Sequence, residues 1–194
     1  MILSDQNDYK ANKMTVFYKD KFISQKLGQY IYNSIPKNND KIAIICIGTD
    51  RSTGDALGPI TGSLLSKRNQ LSFNVFGTLE HPIHAMNLEK ELKKINETHI
   101  DSTFIAVDAC LGKINSVGNI TAAIGPLKPG LAFNKNLPEV GQIHLTGIVN
   151  IASPSNYLIL QNTRLNIVMK QAELIAQSFF YCDYLLSKSN NTIN

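Results

Sequence analysis

At 194 residues, 43% hydrophobic and 18% charged, the chain can bury one ordinary core and has no need of a second domain. Its formal charge of +4 is modest, and no basic stripe interleaved with aromatics appears, so nucleic acid is excluded as the expected partner. There is no apolar run of about eighteen residues and no basic-then-apolar leader, so a cytoplasmic protein is expected, without a membrane partner.

Residues 1–19 are polar and aperiodic and read as an N-terminal arm. In residues 20–34, Phe22, Ile23, Leu27, Tyr30 and Ile31 fall near helical spacing, and Asn38-Asn39 breaks the pattern. Lys41–Gly48 (KIAIICIG) is a continuous apolar run ending in glycine, the pattern of a strand buried on both faces. A polar loop, Thr49–Gly54, leads into an amphipathic segment over 55–68. A second strand is expected over 72–78, a lysine- and glutamate-rich helix over 85–97, and strands over 102–110 and 118–125.

Residues 126–140 carry three prolines and a glycine and read as an excursion before a last strand at 141–150. Ser153-Pro154-Ser155 predicts a helix start. One long helix is expected from there to about Ser187, with Leu158, Leu165, Val168, Ala172, Ile175, Phe179, Cys182 and Leu186 as its core stripe. Residues 188–194 read as a loose tail. Alternating strands and helices predict a single α/β domain over 20–187, a mostly parallel sheet with helices on both faces.

Cys46, Cys110 and Cys182 lie far apart, which argues against a disulfide framework or a zinc knuckle. Cys110 stands out because it closely follows an acid at an expected strand end. In open parallel sheets ligands bind beyond the carboxyl ends of the strands. Asp108 closes the run TFIAVD, and Asp55 lies in the turn after the first buried strand. Each has an ordinary structural explanation: Ser52-Thr53-Gly54-Asp55 resembles a helix-capping box, and Asp108 suits a loop cap. Convergence on one crevice gives them a second meaning, since paired carboxylates can share a proton and activate a water.

Asp50 and Arg51 in the same loop are expected to position it or to contact a ligand. His144 is the third member that would convert the acids into a divalent-metal site, or else a histidine facing solvent or core. His81 and His84 have ligand-like spacing, but Pro82 opposes a helix there, and His99 reads as a surface residue. Serine-elbow, phosphate-loop and zinc-protease motifs are all missing.

Three segments carry a resemblance: Cys46–Pro59 (CIGTDRSTGDALGP), Gly77–Leu88 (GTLEHPIHAMNL) and Gln161–Leu165 (QNTRL). They resemble the YyaC-type sporulation proteins of spore-forming Firmicutes over about residues 20–186. That family looks like a compact relative of the germination protease. Gly54–Pro59 matches that protease's Pro-Asp-Ala-Leu-Gly-Pro segment, and Val107-Asp108-Ala109-Cys110 matches its Ile-Asp-Ala-Leu segment. The resemblance implies a three-layer αβα sandwich, phosphorylase/hydrolase-like, of the germination protease and hydrogenase-maturation peptidase type.

It further implies an endopeptidase-like protein of the mother cell or forespore, without a cofactor, in which Asp55 and Asp108 act as base and acid. Peptides or small spore proteins would be its partners, and a homo-oligomer is compatible. The protease's glycine-rich His-Pro-Gly-Ser-Gly-Val-Gly-Asn stretch is replaced here by Ile143–Asn150 (IHLTGIVN). That departure leaves two alternatives: a non-catalytic sporulation factor that binds a peptide or partner in the same cleft, or a maturation-type endopeptidase holding a divalent metal on Asp55, Asp108 and His144.

Overall fold

The computed structural model describes residues 12–191, apart from 38, 40, 69–70 and 131–136. Six strands form one sheet: β1 (Lys13–Phe17), β2 (Ile42–Cys46), β3 (Phe73–Phe76), β4 (Thr103–Gly112), β5 (Asn119–Ile124) and β6 (Ile143–Ile151). The five α-helices are α1 (Ile23–Ser34), α2 (Leu57–Ser66), α3 (Leu88–Thr98), α4 (Asn156–Gln161) and α5 (Leu165–Asn191). The strand order is β1-β5-β6-β4-β2-β3. β2 pairs in parallel with β3 and β4, and β4 with β6, while β5 joins β6 and β1 antiparallel.

β2 lies between β4 and the edge strand β3, and its side chains Ile42, Ala43, Ile44, Ile45 and Cys46 are all buried, as a strand covered on both faces requires. From β2 the chain moves outward to β3, then returns across β2 to β4. Right-handed crossovers in opposite directions put their helices on opposite faces. Accordingly α2 packs with α1 and α5 against Ile42, Ile44, Ile105, Val107, Ile143 and Leu145. Opposite them, α3 packs Leu88 and Ile95 near Ile45, Ile47 and Ala106. Phe179 of α5 is fully buried and meets Phe73 edge to face, with ring centroids 6.1 Å apart.

Three expectations are corrected. Residues 13–17, read as part of a polar arm, form β1: Met14 and Val16 face inward while Lys13, Thr15 and Phe17 face outward. Residues 1–11 of that arm lie outside the described residues. The expected long helix from 153 is two helices, α4 and α5, split at Asn162-Thr163-Arg164. There Thr163 Oγ1 donates to the Ile159 carbonyl (2.8 Å) while its own N–H turns to the Leu160 carbonyl (3.3 Å). A side chain thus takes the carbonyl that a continuing helix would give to a backbone N–H, and Asn162 Nδ2 adds a second bond to the Leu158 carbonyl (2.8 Å).

As a consequence Leu158 and Leu165 are more than half exposed, and the buried stripe begins only at Val168. The tail also shortens, because α5 continues through residues 188–191; residues 192–194 lie outside the described residues. The excursion at 126–140 is closed by an antiparallel bridge between Leu127 and Val140, and its middle, 131–136, lies outside the described residues.

α2 enters almost in contact with the end of β2. A Cβ at Gly58 would collide with the Ile47 carbonyl oxygen and lie 2.8 Å from its backbone nitrogen. Alanine gains at most about 1 kcal/mol of helix propensity over glycine. Backbone overlap in a packed site costs about 1–3 kcal/mol. Gly58→Ala is therefore expected to lower stability, read as a lower guanidinium midpoint at unchanged slope; a midpoint equal to or above the parent's would show that α2 does not rest on β2.

Candidate active site

β2 and β4 are neighbours whose onward connections diverge, β2 leading toward β3 and β4 toward β5 on the far side. Such a divergence opens a crevice at the carboxyl ends of the two strands. β2 also ends early: its last residue, Cys46, pairs with Val107, whereas β4 runs on to Gly112 beside β6. Asp108, expected to close its strand, therefore stands within β4. It is the first residue past the end of β2, and the loop after β2 fills the notch beside it.

Main-chain bonds fix that loop. Gly48 N–H donates to the Ile83 carbonyl (2.8 Å), Thr49 N–H to that of Asp55 (3.1 Å), and Asp55 N–H to that of Ser52 (3.0 Å). Gly48 adopts φ +140°, and a Cβ there would overlap the Asp55 carbonyl oxygen, so only glycine closes the loop this tightly. From the other side Leu160 of α4 and Thr163 of the link after it press against Gly54. The short 3-10 turn Gly54–Ala56 that results carries Asp55. No side-chain cap bond is made at this turn or at the start of α2, so the capping-box geometry does not form.

The Asp55 carboxylate instead lies beside the Thr49 backbone N–H, which also bonds the Asp55 carbonyl, and within the electrostatic field of Asp108. Burial raises Asp55 from its ordinary 3.8 to about 6, and the Thr49 N–H offsets part of that rise. Asp108 is raised well above 3.8, first by burial and then by the negative charge of Asp55, against one favourable bond from Ala109 N–H to Oδ1 (2.8 Å). Both residues retain partial solvent access, so water reaches a pocket whose carboxyl groups are otherwise ringed by protein. At neutral pH Asp55 is mostly ionised and Asp108 holds its proton longer, the division of labour that an acid–base pair needs.

The other expected members are placed differently. Asp50 and Arg51 are exposed at the loop's tip. His144 shares the sheet face of Asp108 but pairs with Ala106, two residues back toward the start of β4, and its Nδ1 bonds the Gly125 carbonyl (2.8 Å). The residue directly beside Asp108 is Thr146. Cys110 follows on the same face, its thiol hydrogen-bonded to Thr146 and pushed up to about 11 by burial and by Asp108. Among the described residues, His, Cys, Asp and Glu side chains do not gather in groups of three at metal-binding distance. Ile143–Asn150, where the resemblance has a glycine-rich stretch, lies within β6.

Thr146 is the neighbour that sequence reading missed. The available signal was register: once the strands at 102–110 and 141–150 are paired in parallel, either Thr146 or an adjacent residue must sit beside Asp108.

The pocket has a measurable cost. Because the folded chain holds the Asp55 proton more tightly than the unfolded chain, no penalty exists below about pH 4, where both states are protonated. The penalty grows as pH rises from about 4 to about 6, and a rise from 3.8 to about 6 corresponds to about 3 kcal/mol at most. Asp55→Asn, a neutral isostere, is expected to be roughly 1–3 kcal/mol more stable than the parent at pH 7 and no more stable at pH 3.5, by urea unfolding at both pH values. A gain that is absent at pH 7, or the same at both, would show that this carboxyl is not held in a desolvated pocket.

Residues 15–178 match the family described as "Protein of unknown function (DUF1256)". Over 172 residues the chain is 43% identical to the uncharacterized protein YyaC of Bacillus subtilis (strain 168), covering 88% of this chain and 84% of that protein. Both aspartates, the loop that carries Asp55 and the Thr146 strand fall inside the matched span, and the chain belongs to the DUF1256 family.

Proposed function

We propose that this protein is an aspartate-dependent peptidase of the sporulating cell, acting on spore proteins or peptides. The observation that carries the reading is the electrostatic contact between Asp55 and Asp108 in a desolvated crevice at the diverging connections of β2 and β4. The resemblance of Gly54–Pro59 and Val107–Cys110 to the two aspartate segments of the germination protease supports the substrate class.

In this mechanism Asp55 is the base. It takes a proton from a water as the water oxygen bonds to the peptide carbonyl carbon. Asp108 is the acid and gives its proton to the departing nitrogen as the carbon–nitrogen bond breaks. One water is consumed, and the pair regains its starting protonation when the Asp55 proton passes to Asp108. Two carboxyl groups with unequal environments can divide these roles, as aspartic proteases do.

The test uses the purified chain and acid-soluble proteins extracted from Bacillus subtilis spores, with cleavage followed by mass spectrometry. Asp55→Asn and Asp108→Asn are each expected to abolish cleavage while the far-ultraviolet circular dichroism stays that of the parent. The rate should rise with pH through about 6 as Asp55 ionises, then fall at higher pH as Asp108 loses its proton. Either variant cutting as well as the parent would sink the pairing. No cleavage by the parent, with binding of a spore protein retained by the double variant, would favour a non-catalytic binding factor.

A further inference from the structure

Strand register brings one more polar group to the acidic pair. β4 and β6 run parallel with Asp108 beside Thr146, so both side chains leave the sheet on the same face from strands about 5 Å apart. Thr146 keeps partial solvent access. The helix on this face, α3, packs near Ile45, Ile47 and Ala106, beside β2 and the first half of β4.

Thr146 is paired with Thr121 of β5 on its other side, and its hydroxyl meets the thiol of Cys110, one strand alternation beyond Asp108 on β4. The Thr146 O–H can donate to that sulfur, a bond that favours the thiolate. Burial keeps the thiol protonated up to about pH 11, so below that the hydroxyl is not held there by charge and can turn over Asp108. The backbone N–H nearest the acid is already used, because Ala109 donates to Asp108 Oδ1 at 2.8 Å. An amide carbonyl attacked by water develops a full negative charge on its oxygen, and a pre-positioned donor is most valuable there. Asp108 cannot serve as that donor while its proton is reserved for the leaving nitrogen.

We propose that Thr146 is a further catalytic residue, its hydroxyl donating a hydrogen bond to the oxyanion of the tetrahedral intermediate beside Asp108. This role rests on the peptidase reading above. No covalent bond changes at Thr146; the water, Asp55 and Asp108 carry every bond and proton that moves.

Thr146→Val removes the hydroxyl at nearly constant volume and suits a strand, and Thr146→Ser keeps the hydroxyl. With one purified acid-soluble spore protein as substrate, Thr146→Val is expected to lose about 10²–10³-fold in kcat, the usual effect of deleting one oxyanion donor, with KM nearly unchanged. Thr146→Ser should recover most of that loss, and both pH limbs should stay where the parent has them, since acid and base are intact. Thr146→Ala, measured alongside, should repeat the valine result and guards against a packing artefact.

An active parent matched by Thr146→Val overturns the donor role and leaves the acid pair standing. Equal losses in the valine and serine variants also overturn it, because the effect would then follow shape and not the hydroxyl. A parent that cuts nothing overturns the peptidase reading and this role together.

Discussion

The acidic crevice depends on one unequal pairing: β2 stops opposite Val107, and β4 continues for five more residues beside β6. Had β2 continued with β4, its next residues would line Asp108 with another strand, and no opening would exist. The early stop is enforced by Gly48, whose φ of +140° turns the chain away, and by Gly58, which lets α2 sit directly on the Ile47 carbonyl. Two glycines, placed for close approach, therefore decide where the carboxyl groups meet.

Holding those groups together works against folding. Asp55 and Asp108 are each pushed toward the neutral form, and every ionisation in the pocket weakens the folded state. The core offsets this on both sides of the notch. Fully buried Ile42, Ile44, Ile105, Ile143 and Phe179 lie on one face, and buried Ile45, Ile83, Leu88 and Ile95 on the other. Burying a side chain of this size contributes roughly 1.5–3 kcal/mol. A well-packed sheet can thus carry two desolvated carboxyl groups in its notch without unfolding.

Much of this was legible in the sequence because the informative runs are long and apolar. KIAIICIG reads as a strand covered on both sides and TFIAVD as another strand, and Asp55 and Asp108 stood out from where those runs stop; that the two strands are neighbours came only from the structure. What was not legible came from short or local signals. KMTVF alternates as an edge strand should, yet five residues inside a polar stretch do not outweigh their surroundings. The break between α4 and α5 depends on Asn162 and Thr163 turning back onto their own helix, a choice that periodicity does not record, since Leu158 and Leu165 keep helical spacing across it. His144 failed to join the acids because period two along β6 fixes its face but not its level, and the level is set by pairing with Ala106.

The three thiols differ in a way that makes the molecule its own instrument. Cys46 is sealed inside the sheet and Cys182 on the buried face of α5, while Cys110 keeps an opening to solvent within the electrostatic field of Asp108. A small alkylating probe applied at alkaline pH would mark that single position and leave the interior sulfurs untouched. A spectroscopic label could thus be seated at the mouth of the crevice without altering a residue, ready to register whatever enters it.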